Sequence, residues 1–160
     1  MSVENVRKFF TDRGLKDPVV ELQESSATVA LAAQALGVLP GEIAKTLSFQ
    51  LKDRYILIVA SGDGKIDNKK YKDYFGEKAR MLNQEEVESA TGHPVGGVCP
   101  FGLEQPLDIY MDISLQKYKT VYPAAGSKLH VLKTTPEDMQ ILTKASWIDV
   151  CQEAISLPQQ

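Results

Sequence analysis

The chain is sparing with the residues that carry ready-made chemistry: it has two cysteines, two histidines and one tryptophan in 160 residues. Cys99 and Cys151 lie far apart and make no C-x-x-C pair, which excludes a disulfide framework and a zinc ribbon, so both are expected to be reduced thiols. His93, Cys99, His130 and Cys151 have no recognised ligand spacing, and no metal and no cofactor are expected. No apolar run approaches the ~20 residues that span a bilayer. The N-terminal MSVENVRKFF lacks the continuous apolar core and small-residue cleavage site of a signal peptide, so a soluble, cytoplasmic protein with no membrane partner is expected. A net charge of −3 and a pI near 5.4 exclude the uniformly basic surface of a nonspecific nucleic-acid binder. No Ser-His-Asp order and no paired carboxylates emerge either.

What is present is ordinary in bulk: 43% hydrophobic and 24% charged residues. The mass of 17.7 kDa fits one domain over residues 1–160, large enough to fold without staples. Val3, Val6, Phe9 and Phe10 recur at helical spacing before Gly14, predicting a helix over 3–13. A short strand is expected at 19–22, and a helix over 28–36 ended by Gly37. Two strands at 43–51 and 55–60, joined by Lys52-Asp53-Arg54, read as a hairpin. Ser61-Gly62-Asp63-Gly64 is a turn, and Asp67 caps a helix running to Phe75 with Gly76 as its stop. A strand at 79–82 and a helix over 83–90, with Asn83 and Glu86 as a capping box, precede a glycine/proline loop. Strands follow at 107–111, 120–122 and 129–132, the last introduced by Ala125-Gly126-Ser127. Thr134 or Thr135 with Pro136 starts a helix to about Lys144. The tail with Trp147 docks, and its last residues fray. Interspersed strands and helices without regular alternation predict an α+β fold around a mixed sheet.

Two features stand apart from this scaffold. The segment Thr91–Leu103, TGHPVGGVCPFGL, combines four glycines with two prolines, so it specifies a particular and costly backbone shape. Lys45 sits in an apolar strand, where alternation puts it on one face with Ile43, Leu47 and Phe49. It either snorkels at the sheet end or points into a cavity where an anion meets it. Lys65, Lys69, Lys70 and Lys72 form the most basic stretch, read as a solvated helix face or a local binding patch.

Lys45-Thr46-Leu47, Gly96-Gly97-Val98-Cys99-Pro100-Phe101-Gly102 and Gly126-Ser127, in that order, resemble the YbaK family of aminoacyl-tRNA deacylases, related to the editing domain inserted in bacterial prolyl-tRNA synthetases. The resemblance covers roughly 3–143 and includes the Ala32–Val38 helix end and the Ser61-Gly62-Asp63 turn. It implies a single YbaK-like α+β domain, with a mixed, largely antiparallel sheet or open barrel flanked by helices. It implies a freestanding trans-editing hydrolase that cleaves the ester of a mischarged aminoacyl-tRNA bearing a small amino acid such as Ala, Cys or Ser. Lys45 corresponds to the family's functional lysine, and the G-x-x-x-P motif, here Gly96 to Pro100, borders the aminoacyl pocket. On this reading Lys45, Gly96, Gly97 and Val98 are catalytic, while Thr46, Cys99, Pro100, Gly126, Ser127 and His130 bind substrate. Lys65, Lys69 and Lys70 bind tRNA, and Tyr71 and Tyr74 beside them stack on RNA or belong to the core. Cys99 is a small apolar residue rather than a nucleophile, because nothing local lowers its pKa. His93 precedes the motif and is less favoured than His130 for a site role.

Two other readings stay open: a noncatalytic module that binds a tRNA end or an aminoacyl-tRNA synthetase, and a metabolite-binding protein of the same fold. Neither the amino acid nor the tRNA can be chosen from the sequence.

Overall fold

Local chemistry places the helix ends. In the computed structural model, which describes residues 2–153, α1 spans Ser2–Thr11 and buries Val6 and Phe10. It tightens into a turn before Gly14, whose φ of +74° reverses the chain. A short strand, β1 (Val19–Glu21), leads to α2 (Val29–Leu36). Thr28 Oγ accepts from Leu31 N–H at the start of α2, and left-handed Gly37 ends it. Asp67 caps α3 (Asn68–Phe75) by accepting from Lys69 and Lys70 N–H. The Asn83–Glu86 capping box starts α4 (Gln84–Thr91), which ends at left-handed Gly92. Thr135 caps α5 (Pro136–Thr143), with Pro136 at its first position.

The strands are β2 (Ile43–Gln50), β3 (Tyr55–Ser61), β4 (Asp108–Asp112), β5 (Tyr122–Ser127), β6 (His130–Leu132) and β7 (Ser146–Ile148), and with β1 they form a seven-stranded sheet in the order β1-β6-β5-β2-β3-β4-β7. This is the expected single α+β domain with a mixed sheet, and the sheet is open. Its antiparallel pairings are β1/β6, β5/β6 and β2/β3, and its parallel pairings β2/β5, β3/β4 and β4/β7. Parallel pairs are therefore as frequent as antiparallel ones, because the connections through α3 and α5 return the chain in the same direction.

Two expectations are corrected, and the docking of the Trp147 tail takes a defined form. Residues 79–82 make only an isolated bridge, Phe49 to Met81, alongside β2. Ala125-Gly126-Ser127 is the end of β5 rather than a turn before the next strand; the reversal falls at Lys128-Leu129. The tail containing Trp147 docks as a strand, β7, parallel to β4. The expected fraying of the last residues lies outside the described residues.

The sheet buries both faces. Val6 and Phe10 of α1 and Met139 of α5 meet Ala44, Val59 and Met111 on one. Tyr71 of α3 meets Phe49, Ile56 and Ile58 on the other, and each such buried side chain contributes about 1.5–3 kcal/mol. The sheet's weak line is the β5/β2 seam. Its register is two pairs long, Ile43–Tyr122 and Ala44–Pro123, and Pro123 has no N–H to extend it. Beyond Ala44 the two halves of the sheet diverge.

Candidate functional site

The divergence leaves a cavity of about 440 Å³. Its floor is β2 from Ile43 to Ser48, and Tyr122, Ala124 and Val131 of the other sheet half close one side. Ser26–Val29 and Ala32 make a second wall, Met81, Leu82, Gln84 and Val87 a third, and Val95, Gly96 and Val98 a fourth. Among its lining residues Lys45 alone is charged.

Strand pairing aims the floor. Leu51 N–H donates to Arg54 C=O, so odd-numbered residues of β2 direct their backbone groups toward β3. Gln50 N–H and Ser48 C=O point the opposite way, to Arg80 and Leu82. By the period of two, Thr46 presents its N–H and C=O to the same outer edge, past the last pair with β5. The side-chain hydroxyl of Thr46 is buried and has no hydrogen-bond partner among the described residues.

Lys45 pairs with Ala60 in register, and its ammonium donates to Gly62 C=O at 3.4 Å and to Gly64 C=O. An ammonium has three donors, so the Ser61–Gly64 turn holds two and leaves one. The turn can hold them because Gly62 lies where a Cβ would stand 2.1 Å from Pro40 O. Burial pulls the Lys45 pKa below the usual lysine range, opposed by Cys151 and then Asp63. Asp63 is itself held by Ser61 Oγ at 2.5 Å and Tyr118 OH at 3.3 Å.

The glycine/proline loop is folded against the end of β5. Gly97 N–H donates to Pro94 C=O and Gly97 C=O accepts from Gly126 N–H, both at 2.9 Å. A Cβ on Gly97 would lie 2.4 Å from Ser127 N, so only glycine permits this approach. Gly96, at φ +92°, rests on Ala27. The loop thus turns Gly96 and Val98 to the cavity and packs Gly97 behind them. Cys99 is fully buried on the loop's other side, 3.8 Å from His93 Nε2, and burial pushes its thiol up to about 12. Pro100 lines a separate groove against α1 and the end of α5.

Of the residues singled out from sequence, the cavity lining brings together Lys45, Thr46, Gly96 and Val98. Gly97, Gly126 and Ser127 form the packed support behind the loop. His130 stands beside this support: Ser127 Oγ accepts from Leu129 N–H and is hydrogen-bonded to His130 Nδ1 at 2.6 Å. Lys65, Lys69 and Lys70 lie on α3 and its lead-in, outside the lining. Lys69 pairs with Asp73 at 2.9 Å, and Lys70 with Asp149 at 3.1 Å and Cys151 C=O at 2.9 Å. Tyr71 is a core residue, fully buried. The walls from Ser26–Val29 and Met81–Val87 carried no signal of their own, because small and apolar side chains become a wall only through tertiary placement.

An apolar cleft with one cation, a backbone edge and a rigid glycine loop suits a small acyl group attached to a polar, anionic carrier. Comparison with known proteins decides the family, for the model of the aminoacyl-tRNA editing domain matches residues 23–142. The chain belongs to that family. It is 48% identical over 155 residues to the uncharacterized protein YwhH of Bacillus subtilis, covering 96% of this chain and 99% of that one. The proline–tRNA ligase of Bacillus licheniformis is 30% identical over 111 residues, which are 66% of this chain and 19% of the ligase. A crystal structure described provisionally as a trans-editing enzyme for prolyl tRNA synthetase superposes with a TM-score of 0.86 at 34% identity, covering 95% of this chain and 98% of that one. The editing domain is thus the scaffold on which Lys45 and the glycine loop sit. Among the described residues of this editing domain, no helix is long and apolar enough to cross a membrane.

Proposed function

We propose that this chain hydrolyses, in trans, the ester joining a small mischarged amino acid such as alanine, cysteine or serine to the 3′ end of a tRNA. The observation that carries the reading is the cavity at the β5/β2 seam, which Lys45, with one ammonium donor not taken by the Ser61–Gly64 turn, lines together with Gly96 and Val98. The aminoacyl group enters the apolar part of the cavity, whose total volume of about 440 Å³ suits a small side chain together with the terminal ribose. Lys45 contacts the phosphate or ribose oxygens of the terminal adenosine, a task for a compact cation with several donors.

Water attacks the ester carbonyl carbon, the tetrahedral oxyanion collapses, and the ribose oxygen leaves as a hydroxyl after taking a proton. Backbone N–H groups at Gly96, Val98 and Thr46 are the donors proposed to meet the oxyanion, and Gly97 fixes the loop that presents them. The substrate's own free ribose hydroxyl orients the water. The buried Cys99 thiol, at about 12 and turned from the cavity, supports attack by water rather than by sulfur. Pro100, Gly126, Ser127 and His130 support the loop, and Lys65, Lys69 and Lys70 offer an outlying contact to tRNA phosphates.

The test is a deacylation screen of the purified protein over alanyl-, cysteinyl- and seryl-tRNAs carrying the wrong amino acid. Release of the amino acid from at least one is expected. Affinity for the tRNA without cleavage of any would replace the hydrolase with a binding module.

A further inference from the structure

His93 belongs to neither the cavity nor its lining, yet it is one of the few fully buried polar side chains. Its ring closes the glycine/proline loop from behind. Nε2 lies 2.8 Å from Phe101 C=O, and a carbonyl only accepts, so Nε2 carries the proton. In the neutral ring Nδ1 is then an acceptor, and it receives the Ser2 hydroxyl at 2.5 Å. The His93 N–H donates to Thr91 Oγ at 3.0 Å, and that hydroxyl donates in turn to Val87 C=O at 2.7 Å. The imidazole therefore joins both ends of the loop and ties it to the first residue of α1, while the His93 backbone N–H seats the loop on the end of α4. Burial pulls the ring below the usual histidine range, opposed by the Phe101 carbonyl and Glu104, which agrees with a neutral ring.

The same loop presents Gly96 and Val98 to the cavity. Gly102, the next glycine, is pressed onto α1, where a Cβ would lie 2.5 Å from Asn5 O. Among the described residues, His93 is the side chain that ties the start of this loop to Phe101 at its end and to Ser2 of α1.

We propose that His93 is a positioning residue for the editing reaction, holding the 93–101 loop closed as a neutral imidazole between Phe101 C=O and Ser2 Oγ so that Gly96 and Val98 face the substrate. The inference rests on the hydrolase reading above for its kinetic consequence, though not for its structural one.

Three variants test it: His93→Leu removes both ties, His93→Gln keeps a donor for Phe101 C=O, and Ser2→Ala removes only the α1 tie. The readouts are amide hydrogen exchange along the chain, and kcat and KM on whichever mischarged tRNA the parent protein hydrolyses. For His93→Leu we expect exchange to quicken within 95–99 but not in β3, and kcat to fall by up to about 10²-fold, the scale of an ångström-sized misplacement, with KM little changed. His93→Gln should recover most of the loss, and Ser2→Ala should show a small one. A folded His93→Leu protein with parental kcat and loop exchange overturns the proposal, as does exchange that quickens evenly throughout. If His93→Leu does not fold, the other two decide: quickening confined to the loop supports the proposal, and parental behaviour in both overturns it. Loop-confined quickening in a protein whose parent cleaves no mischarged tRNA keeps the loop's tie and removes the hydrolase reading instead.

Discussion

Lys45 and the lysines of α3 carry the same ammonium in opposite settings. Lys69 and Lys70 are helix-surface cations, each drawn into an ion pair by a neighbouring aspartate. Lys45 lies half-buried at the floor of an apolar cavity, held by the carbonyls of one glycine turn and lacking a carboxylate within ion-pair distance among the described residues. Charge density along the chain is greatest where the ammonium groups are most solvated. The cation in the cavity is the isolated one, and its isolation is what makes it available: a partner at full contact would take up the donor that a substrate needs.

The sharpest way to break this comparison is Lys45→Ala. Deacylation should fall by about 10²–10³-fold, the range seen when one preorganised charge-stabilising donor is removed, while the melting transition stays close to that of the parent. Turnover that survives the substitution would make Lys45 a snorkelling residue after all. The same lysine gives a pH test. Its depressed pKa means that it loses its proton at lower pH than a free lysine. Activity that needs the ammonium is then complete below that pKa and falls as pH rises through it, earlier than for an exposed amine. A kcat/KM profile flat up to the ordinary lysine range would separate the cation from the chemistry.

Next in size is Gly97→Val. The new Cβ meets Ser127 N at 2.4 Å, and accommodating it should cost about 1–3 kcal/mol of stability and displace Gly96 and Val98. Deacylation measured well below the variant's melting transition should drop further than that destabilisation accounts for. Parental turnover would place the loop outside the site. The smallest effect belongs to α3. The double variant Lys69→Ala, Lys70→Ala should raise KM modestly with kcat unchanged, and should make tRNA binding less sensitive to salt, the slope falling by about one for each phosphate that a lysine no longer reaches. A change in kcat would erase the distinction between the two kinds of lysine.

Elements with their own punctuation were legible in the sequence. Gly37, Asp67 with Gly76, and Asn83 with Glu86 each decide a helix end through interactions within a few residues, and the structure has those caps; that Thr28, and not Ser25 or Ser26, starts α2 is seen only in the structure. Alternation put Lys45 on the face of Leu47 and Phe49, which follows from the period of two and needs no partner strand. What depends on distant pairing was hidden. β7 is three residues long, too short for a pattern, and exists because β4 offers it an edge. The end of β5 resembles a turn because glycine and serine follow alanine there, whereas the strand continues through an irregularity at Gly126, φ +96°, to pair Ser127 with His130 across the reversal. The glycine loop announced itself by composition, yet which of its residues face the cavity follows from how Gly97 docks on Gly126, far along the chain. The ties of His93 are hidden for a related reason: its partners, Ser2 and Phe101, lie on opposite sides of it in sequence, and the ring is informative only once both are in place.

The two-pair seam between β5 and β2 has a consequence for how this domain can vary. The cavity's floor belongs to one half of the sheet and its closing side, Tyr122 and Ala124, to the other. Its width is therefore an angle before it is a set of side chains. A substitution that opens or closes that angle, even one buried under α1 and far from any substrate, would resize the site while leaving every lining residue unchanged. The size of the cavity on this scaffold can thus be adjusted from the core outward, much as a vice is set at its screw and not at its jaws.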